Sequence, residues 1–253
     1  MKNILLKVEY DGTGYKGWQI QNLKSAATNL AKVATIQQEI EETLSKILQK
    51  KISIIGSGRT DSGVHAKEQI ANFKVNTEIP LSKLKKSLNC LLPNDIIIKQ
   101  IKYVDPDFHS RFSAKSKLYR YTILNRLYGS AFLRNHVFHC TIPLDLKLMS
   151  SEAKYLKGKH DFRSFQASDK NPRSSVRTIH KISVKKKDDL IFIDIQADGF
   201  LYNMVRNIAG TLIEIGRGKM TKGTMKKLLD LKDRTCAGPT APALGLCLIK
   251  VVY

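Results

Sequence analysis

One order of secondary-structure elements occurs twice in this chain, and that repetition restricts the possible folds more than any bulk property does. Ile4, Leu6, Val8 and Tyr10 alternate with other residues as a strand with one buried side. Thr35 with Gln38 makes a capping-box pattern, and Ile36, Ile40, Leu44, Ile47 and Leu48 then recur at helical spacing to about Lys50. Ile52, Ile54 and Ile55 lead in as a strand, and a second strand is expected near Gln69 to Val75. A helix from Ser82 aligns Leu84, Leu88, Leu91 and Leu92 before Pro93 stops it, and Ile96 to Val104 is again strand. The order β-α-β-β-α-β is the ferredoxin-like arrangement.

The second half approximates the same order. A strand carries Tyr119, Tyr121 and Ile123 on one face and Arg120 on the other, and a helix is expected near Leu148 to Leu156. Strands follow over Val176 to Val184 and Leu190 to Ala197, separated by a charged hairpin tip, Lys185 to Asp189, read as a solvated turn or an RNA contact. A helix after Gly199 presents Leu201, Val205, Ile208, Leu212 and Ile215, with Tyr202, Arg206 and Ile213 off that stripe. A short helix capped by Thr221 and a strand over Leu246 to Tyr253 complete the pattern. The chain thus divides into residues 1–105 and 106–253, with Asp105 to Lys117 an irregular linker. Two such halves would most simply merge into one mainly antiparallel sheet with a central cleft, an α+β fold.

Between the second and third β segments of the N-terminal half lies the most chemically loaded stretch, Ile54 to Ala66. Gly56, Gly58 and Gly63 let the backbone turn sharply or lie flat against a ligand, and Arg59 and Asp61 stand two apart. An Asp held charged by a neighbouring guanidinium in a Gly-rich loop is a candidate nucleophile or base; a turn with a surface ion pair is the plainer alternative. The Gly-Lys-Ser/Thr ending of a phosphate-cradling loop is missing. Trp18, after the Asp11 to Gly14 turn, either stacks on a base or plugs the core.

Composition narrows the partner. Lys plus Arg number 43 against 22 acids, a net charge of +21 over 253 residues, which suits a polyanion and nucleic acid before an anionic membrane. The excess is mostly Lys, 32 against 11 Arg, so each Arg is the more informative residue. Cys90, Cys140, Cys236 and Cys247 form no C-x-x-C pair, and no signal peptide precedes Ile4, which suggests reduced thiols in the cytoplasm. No apolar run reaches membrane-spanning length. His136, His139 and Cys140 could form a metal corner, but they flank a strand and no fourth ligand is evident, so no metal is expected.

The motifs together resemble the tRNA pseudouridine synthase A family. The blocks are Asp11-Gly12-Thr13-Gly14-Tyr15-Lys16-Gly17-Trp18-Gln19, Gly58-Arg59-Thr60-Asp61, Lys117 to Tyr121, His160-Asp161-Phe162, Gly199 to Ile208 and Ala241 to Leu246, in family order along the whole chain. Ser57 and Ser62 are small-for-small departures, and the segment from Asn22 to Ala34 is longer than the family leads one to expect. The resemblance implies the pseudouridine synthase fold and isomerisation of uridine on the 3′ side of the tRNA anticodon stem-loop, with neither cofactor nor metal. It implies Asp61 as catalytic carboxylate, Arg59 and Arg206 positioning it and nearby phosphates, and Tyr119 stacking on the base or assisting proton transfer. Leu246 would be an apolar wall of the pocket, with Arg120, Trp18 and Gln19 also on the substrate side. A homodimer is implied by the family alone. Two rivals stand beside this reading: a non-catalytic RNA-binding module on the same fold, and an Asp-dependent hydrolase of phosphate esters, which would need metal. The absence of an aromatic RNP1-like run argues against an ordinary RNA-recognition sheet.

Overall fold

A computed structural model of the chain describes residues 1–19, 34–167 and 174–253. The expected loop from Asn22 to Ala34 lies outside the described residues except for Ala34. The chain is mixed α+β with mostly antiparallel strand pairing. It forms two compact units, one of residues 1–114 with 248–251 and 253, the other of residues 115–247 with 252.

In the first unit the elements are β1 (Lys2–Tyr10), α1 (Ile36–Leu48), β2 (Ile55–Gly56), β3 (His65–Val75), α2 (Leu81–Leu91) and β4 (Ile96–Val104). Strand β1 is central, antiparallel to β3 (Leu6 opposite Ala71) and to β4 (Leu6 opposite Ile101), while β2 pairs with β3. The alternation of β1 gives one fully covered face, with Ile4, Leu6 and Val8 at 0% exposure. Its other face is covered as well around Asn3 and Leu5, a departure from the one-sided strand that alternation suggests. The reason is the stretch after β4. Asn3 Nδ2 donates to Asp105 O at 2.8 Å and to Phe108 O at 2.9 Å, and Asn72 Nδ2 donates to Asn3 Oδ1 at 3.0 Å, so residues 105–110 are fastened to the sheet.

Helix α1 starts where the capping pattern puts it, with Gln38 N donating to Thr35 Oγ1, but the Gln38 side chain turns to Glu42 instead of closing the box. Ile36, Ile40, Leu44 and Leu48 form its buried stripe. In α2 only Leu84 and Leu88 are buried, and Leu91, expected on the stripe, is exposed.

The second unit contains β5 (Ser116–Asn125), β6 (Phe138–Cys140), α3 (Leu146–Ala153), β7 (Gly158–Asp161), β8 (Val176–Lys187), β9 (Leu190–Ala197), α4 (Met204–Gly216) and α5 (Thr224–Leu231). Strand β9 lies between β5 and β8, antiparallel to both, with Ile195 opposite Tyr119 on one side and Ile182 on the other. Strand β6 runs parallel to β5, and β7 adds to β8. The three lysines expected in a hairpin tip are strand residues of β8; the turn is Asp188-Asp189 alone, with Asp188 left-handed at φ 53°. A last strand, β10 (Leu246–Val252), ends the chain.

Helix α4 begins at Met204, later than its apolar periodicity suggests, because Asn203 takes a left-handed φ of 58°. Its burial is nearly all-round, Ile213 included at 3% exposure, so the helix has no broad polar face. Helix α5 is capped by Gly223 instead of Thr221, and the fully buried Glu152 carboxylate accepts from Gly223 N at 2.7 Å and Met225 N at 3.0 Å. That carboxylate satisfies two donors at a helix start. Glu152→Ala would strand both, and we expect it to destabilise the fold by about 3 kcal/mol in urea unfolding, with Glu152→Gln intermediate.

Candidate active site

The loop between β2 and β3 is shaped by backbone contact with the turn after β1. A Cβ on Gly12 would meet Val64 O at 2.1 Å, and one on Gly17 would meet Thr60 O at 2.3 Å and the Asp61 carbonyl carbon at 2.9 Å. Gly17 also has φ +80°, a region that L side chains rarely adopt. Trp18 N donates to Thr60 O at 3.1 Å, and the Thr60 hydroxyl is 2.8 Å from the Tyr10 hydroxyl in a buried pair. Ser62 Oγ donates to Tyr15 O at 3.0 Å, and Val64 N donates to Asp61 O at 3.1 Å, closing a turn through Gly63 at φ 78°. His65, buried at the start of β3, accepts from Gly12 N at Nδ1 (3.0 Å). The two glycine-rich motifs are thus one structure: the first is the mould in which the second is set.

The other side of the loop is held from the sheet. Ser57 Oγ donates to Gln69 Oε1 at 2.6 Å and Gln69 Nε2 donates to Gly58 O at 2.9 Å, with Ser57 and Gln69 fully buried. Asp61 emerges half-buried from this braced backbone, while Arg59 is exposed. Trp18 is 2% exposed, its ring 6.0 Å from that of Tyr10 and its indole Nε1 edge where a Gly56 Cβ would lie. Of the two alternatives for Trp18, this burial fits the core plug. Gln19 is half-buried and is the last described residue before position 20.

In the second unit the predicted residues are distributed over β5, α4 and β10. Tyr119 is buried on β5 with its ring edge-on to Phe200 at 5.0 Å. Arg120, one residue on and pointing to the opposite face, is held by a fork of bonds to Asp194, Nε to Oδ1 at 2.7 Å and Nη2 to Oδ2 at 2.8 Å, above the Phe192 ring. The hydrogen bonds to Asp194 raise its pKa further. Arg206 lies in the first turn of α4, where Nε donates to Ala241 O at 2.8 Å and Nη1 to Asn203 Oδ1 at 3.0 Å; Ala241 N in turn donates to Arg206 O at 3.1 Å. Its guanidinium is therefore aimed by the same segment that leads through Pro242 to Leu246. The Tyr121 hydroxyl donates to Pro242 O at 2.9 Å, and burial raises its pKa against the opposing pull of Arg206. Leu246 is buried at 5% exposure.

A network not visible from spacing underlies that segment. Asn207, fully buried, donates to Phe165 O at 2.8 Å and accepts from Arg234 Nη2 (3.0 Å) and Thr240 Oγ1 (2.6 Å), and Arg234 also donates to Gly238 O at 3.0 Å. Of the residues of the conceivable metal corner, His139 has Nε2 2.9 Å from Arg126 O, and Cys140 Sγ accepts from Arg217 Nη2 at 3.4 Å. Among the described residues no helix is long and apolar enough to cross a membrane.

Two glycine-rich motifs of this basic α+β chain thus fix the backbone around one half-buried acid, Asp61. The family model described as tRNA pseudouridine synthase matches residues 7–113 and 153–253, and the chain belongs to that family. It is similar to tRNA pseudouridine synthase A of Thermoanaerobacter sp. (46% identical over 253 residues, all of both chains) and of Acetivibrio thermocellus (44% over 253 residues, all of both). It is also similar to tRNA pseudouridine synthase A 2 of Clostridium perfringens, 47% identical over 253 residues and likewise all of both chains.

Proposed function

We propose that this protein converts uridine to pseudouridine in tRNA, on the 3′ side of the anticodon stem-loop, with Asp61 as the catalytic carboxylate. The observation that carries the reading is the bracing of Asp61 by Gly17, Trp18 and Tyr10 through its neighbour Thr60. The N1–C1′ bond breaks, the uracil turns, and C5–C1′ forms; C5 loses its proton and N1 gains one, so no atom is gained or lost overall and no cofactor is called for. A carboxylate in fixed backbone can add to the base or act at the sugar without reorganising first. Tyr119 contacts the target base, Arg206 takes an anionic partner, and Leu246 is an apolar wall. Arg59 reaches for phosphate from its exposed position. Arg120 supports the β5 strand through Asp194 more than it touches RNA. A stem nucleotide must first be extruded, at a cost of a few kcal/mol.

The halves are proposed to be ferredoxin-like. What supports this is the strand order β4-β1-β3 with β2 on β3, and the order β5-β9-β8. A cytoplasmic homodimer completes the proposal, on family grounds. The experiment is tritium release from tRNA labelled at uridine C5, with EDTA present. Release that persists in EDTA separates this reading from a metal-dependent hydrolase, and no release from any tRNA pool would sink it. With a charge of +21 driving association, log K should fall against log salt by about 0.9 for each phosphate neutralised; a salt-independent KM would contradict the proposed use of that charge.

A further inference from the structure

The segment after β4 reads as a linker in sequence, yet it is anchored by side-chain hydrogen bonds to β1, β2 and β3. Ser110 is fully buried: its N–H donates to Asn72 Oδ1 at 2.9 Å, its hydroxyl donates to Ile55 O, and its carbonyl accepts from the Tyr253 hydroxyl at 2.7 Å. The residues around it close on themselves. His109 Nδ1 accepts from Arg111 N (3.2 Å) and Phe112 N (3.3 Å), His109 N donates to Ser113 Oγ (3.2 Å), and Ser113 N donates to His109 O (2.9 Å). This fixed knuckle holds Phe112 outward, the residue being 74% exposed. His109 backs the ring, with centroids 4.3 Å apart and planes at 31°, and the exposed Arg111 guanidinium lies 5.6 Å from its centroid.

A single exposed Phe is ordinary on a protein surface. What is not ordinary is an exposed Phe on a backbone pinned at its base to β2 and β3, with an imidazole behind it and a guanidinium beside it. An aromatic face supported from behind is a platform for a base, and a neighbouring Arg is placed for the phosphate of the same or the next nucleotide. The carboxylates of the segment, Asp105 and Asp107, lie in the preceding turn, where Asp105 Oδ1 accepts from Asp107 N at 2.8 Å. A protein partner would also accept an aromatic ring, but the Arg beside it and the charge of +21 favour a polyanion.

We propose that His109, Arg111 and Phe112 form a stacking contact for tRNA, in which Phe112 packs on an unpaired base and Arg111 binds adjacent phosphate. The proposal rests on tRNA being the substrate and adds to it a contact outside the Asp61 loop. Unpaired nucleotides are the target because only they offer a free base face.

The test is binding of labelled tRNA at several salt concentrations, alongside tritium-release kinetics, for Phe112→Ala, Phe112→Trp, Arg111→Ala and Arg111→Lys. Phe112→Ala is expected to weaken binding about tenfold, and Phe112→Trp to restore it. Arg111→Ala should lower the slope of log K against log salt by about one, with Arg111→Lys retaining it. Turnover at saturating tRNA and the melting temperature should stay at wild-type values. If Phe112→Ala and Arg111→Ala bind tRNA like the parent, or if they change only the oligomeric state in sedimentation, the contact is refuted. If Phe112→Ala weakens binding while even the parent releases no tritium, the contact stands and the assigned reaction falls; unchanged binding with normal release gives the reverse.

Discussion

Asp61→Asn is expected to bind tRNA with parental affinity and to lose turnover by roughly 10³-fold or more. Binding should survive because the loop is shaped through its backbone and the Thr60 side chain. The turn to Val64 uses the backbone carbonyl of residue 61, and the anchoring side chain belongs to Thr60, whose hydroxyl meets Tyr10 and whose carbonyl meets Trp18 N. Asn is the same size and keeps one oxygen, so the variant removes the charge and the nucleophile with little change of shape. Filter binding and tritium release, measured on the same preparation, give the two numbers. Binding and cellular function both intact would favour a non-catalytic RNA-binding module, and turnover within tenfold of the parent would remove Asp61 from the chemistry.

The second large effect is expected at Gly17, which has no side chain to react but lies against the backbone of residues 60 and 61. In Gly17→Ala the methyl would fall 2.3 Å from Thr60 O at a φ of +80°, so either the turn or the Asp61 loop must move. Crowding and strain together should destabilise the protein by about 1–3 kcal/mol. A displacement of about 1 Å at a reacting group is enough to lower turnover roughly 10²-fold. Gly14→Ala, in the same motif, is the internal control: a Cβ there has nothing within 4 Å and no positive φ to oppose it, so stability and turnover should stay within experimental error of the parent. Equal damage from Gly14→Ala and Gly17→Ala would mean that the first motif acts on something other than the Asp61 loop.

Much of the architecture was legible because it rests on local signals. Thr35 caps α1 as its spacing suggests, the 190–197 strand has the expected limits, and β1 carries its apolar face at Ile4, Leu6 and Val8. The misreadings occurred where a distant partner decides. Asn3 is bonded to the 105–110 segment and buried with Leu5 beside it, which no periodicity within β1 announces. Asn203 delays α4, and Lys185 to Lys187 remain strand because they pair with Phe192, Ile191 and Leu190. At the site, Asp61 stood out because an acid among glycines is conspicuous. Gln69 and Asn207 did not, since an amide that locks a loop looks in sequence like any other polar residue. Trp18 was ambiguous for the opposite reason: its chemistry suits both a base and a core, and only the hollow left by Gly56 decides between them.

That placement gives the protein a built-in optical probe. The chain has one Trp, its indole wedged against Gly56 and its amide tied to the residue before Asp61, so the intrinsic emission reports on the Asp61 loop without any label. Movement of that loop should appear as a change in wavelength or intensity on a stopped-flow time base. A loop that is rigid throughout the cycle would leave the fluorescence silent while product forms.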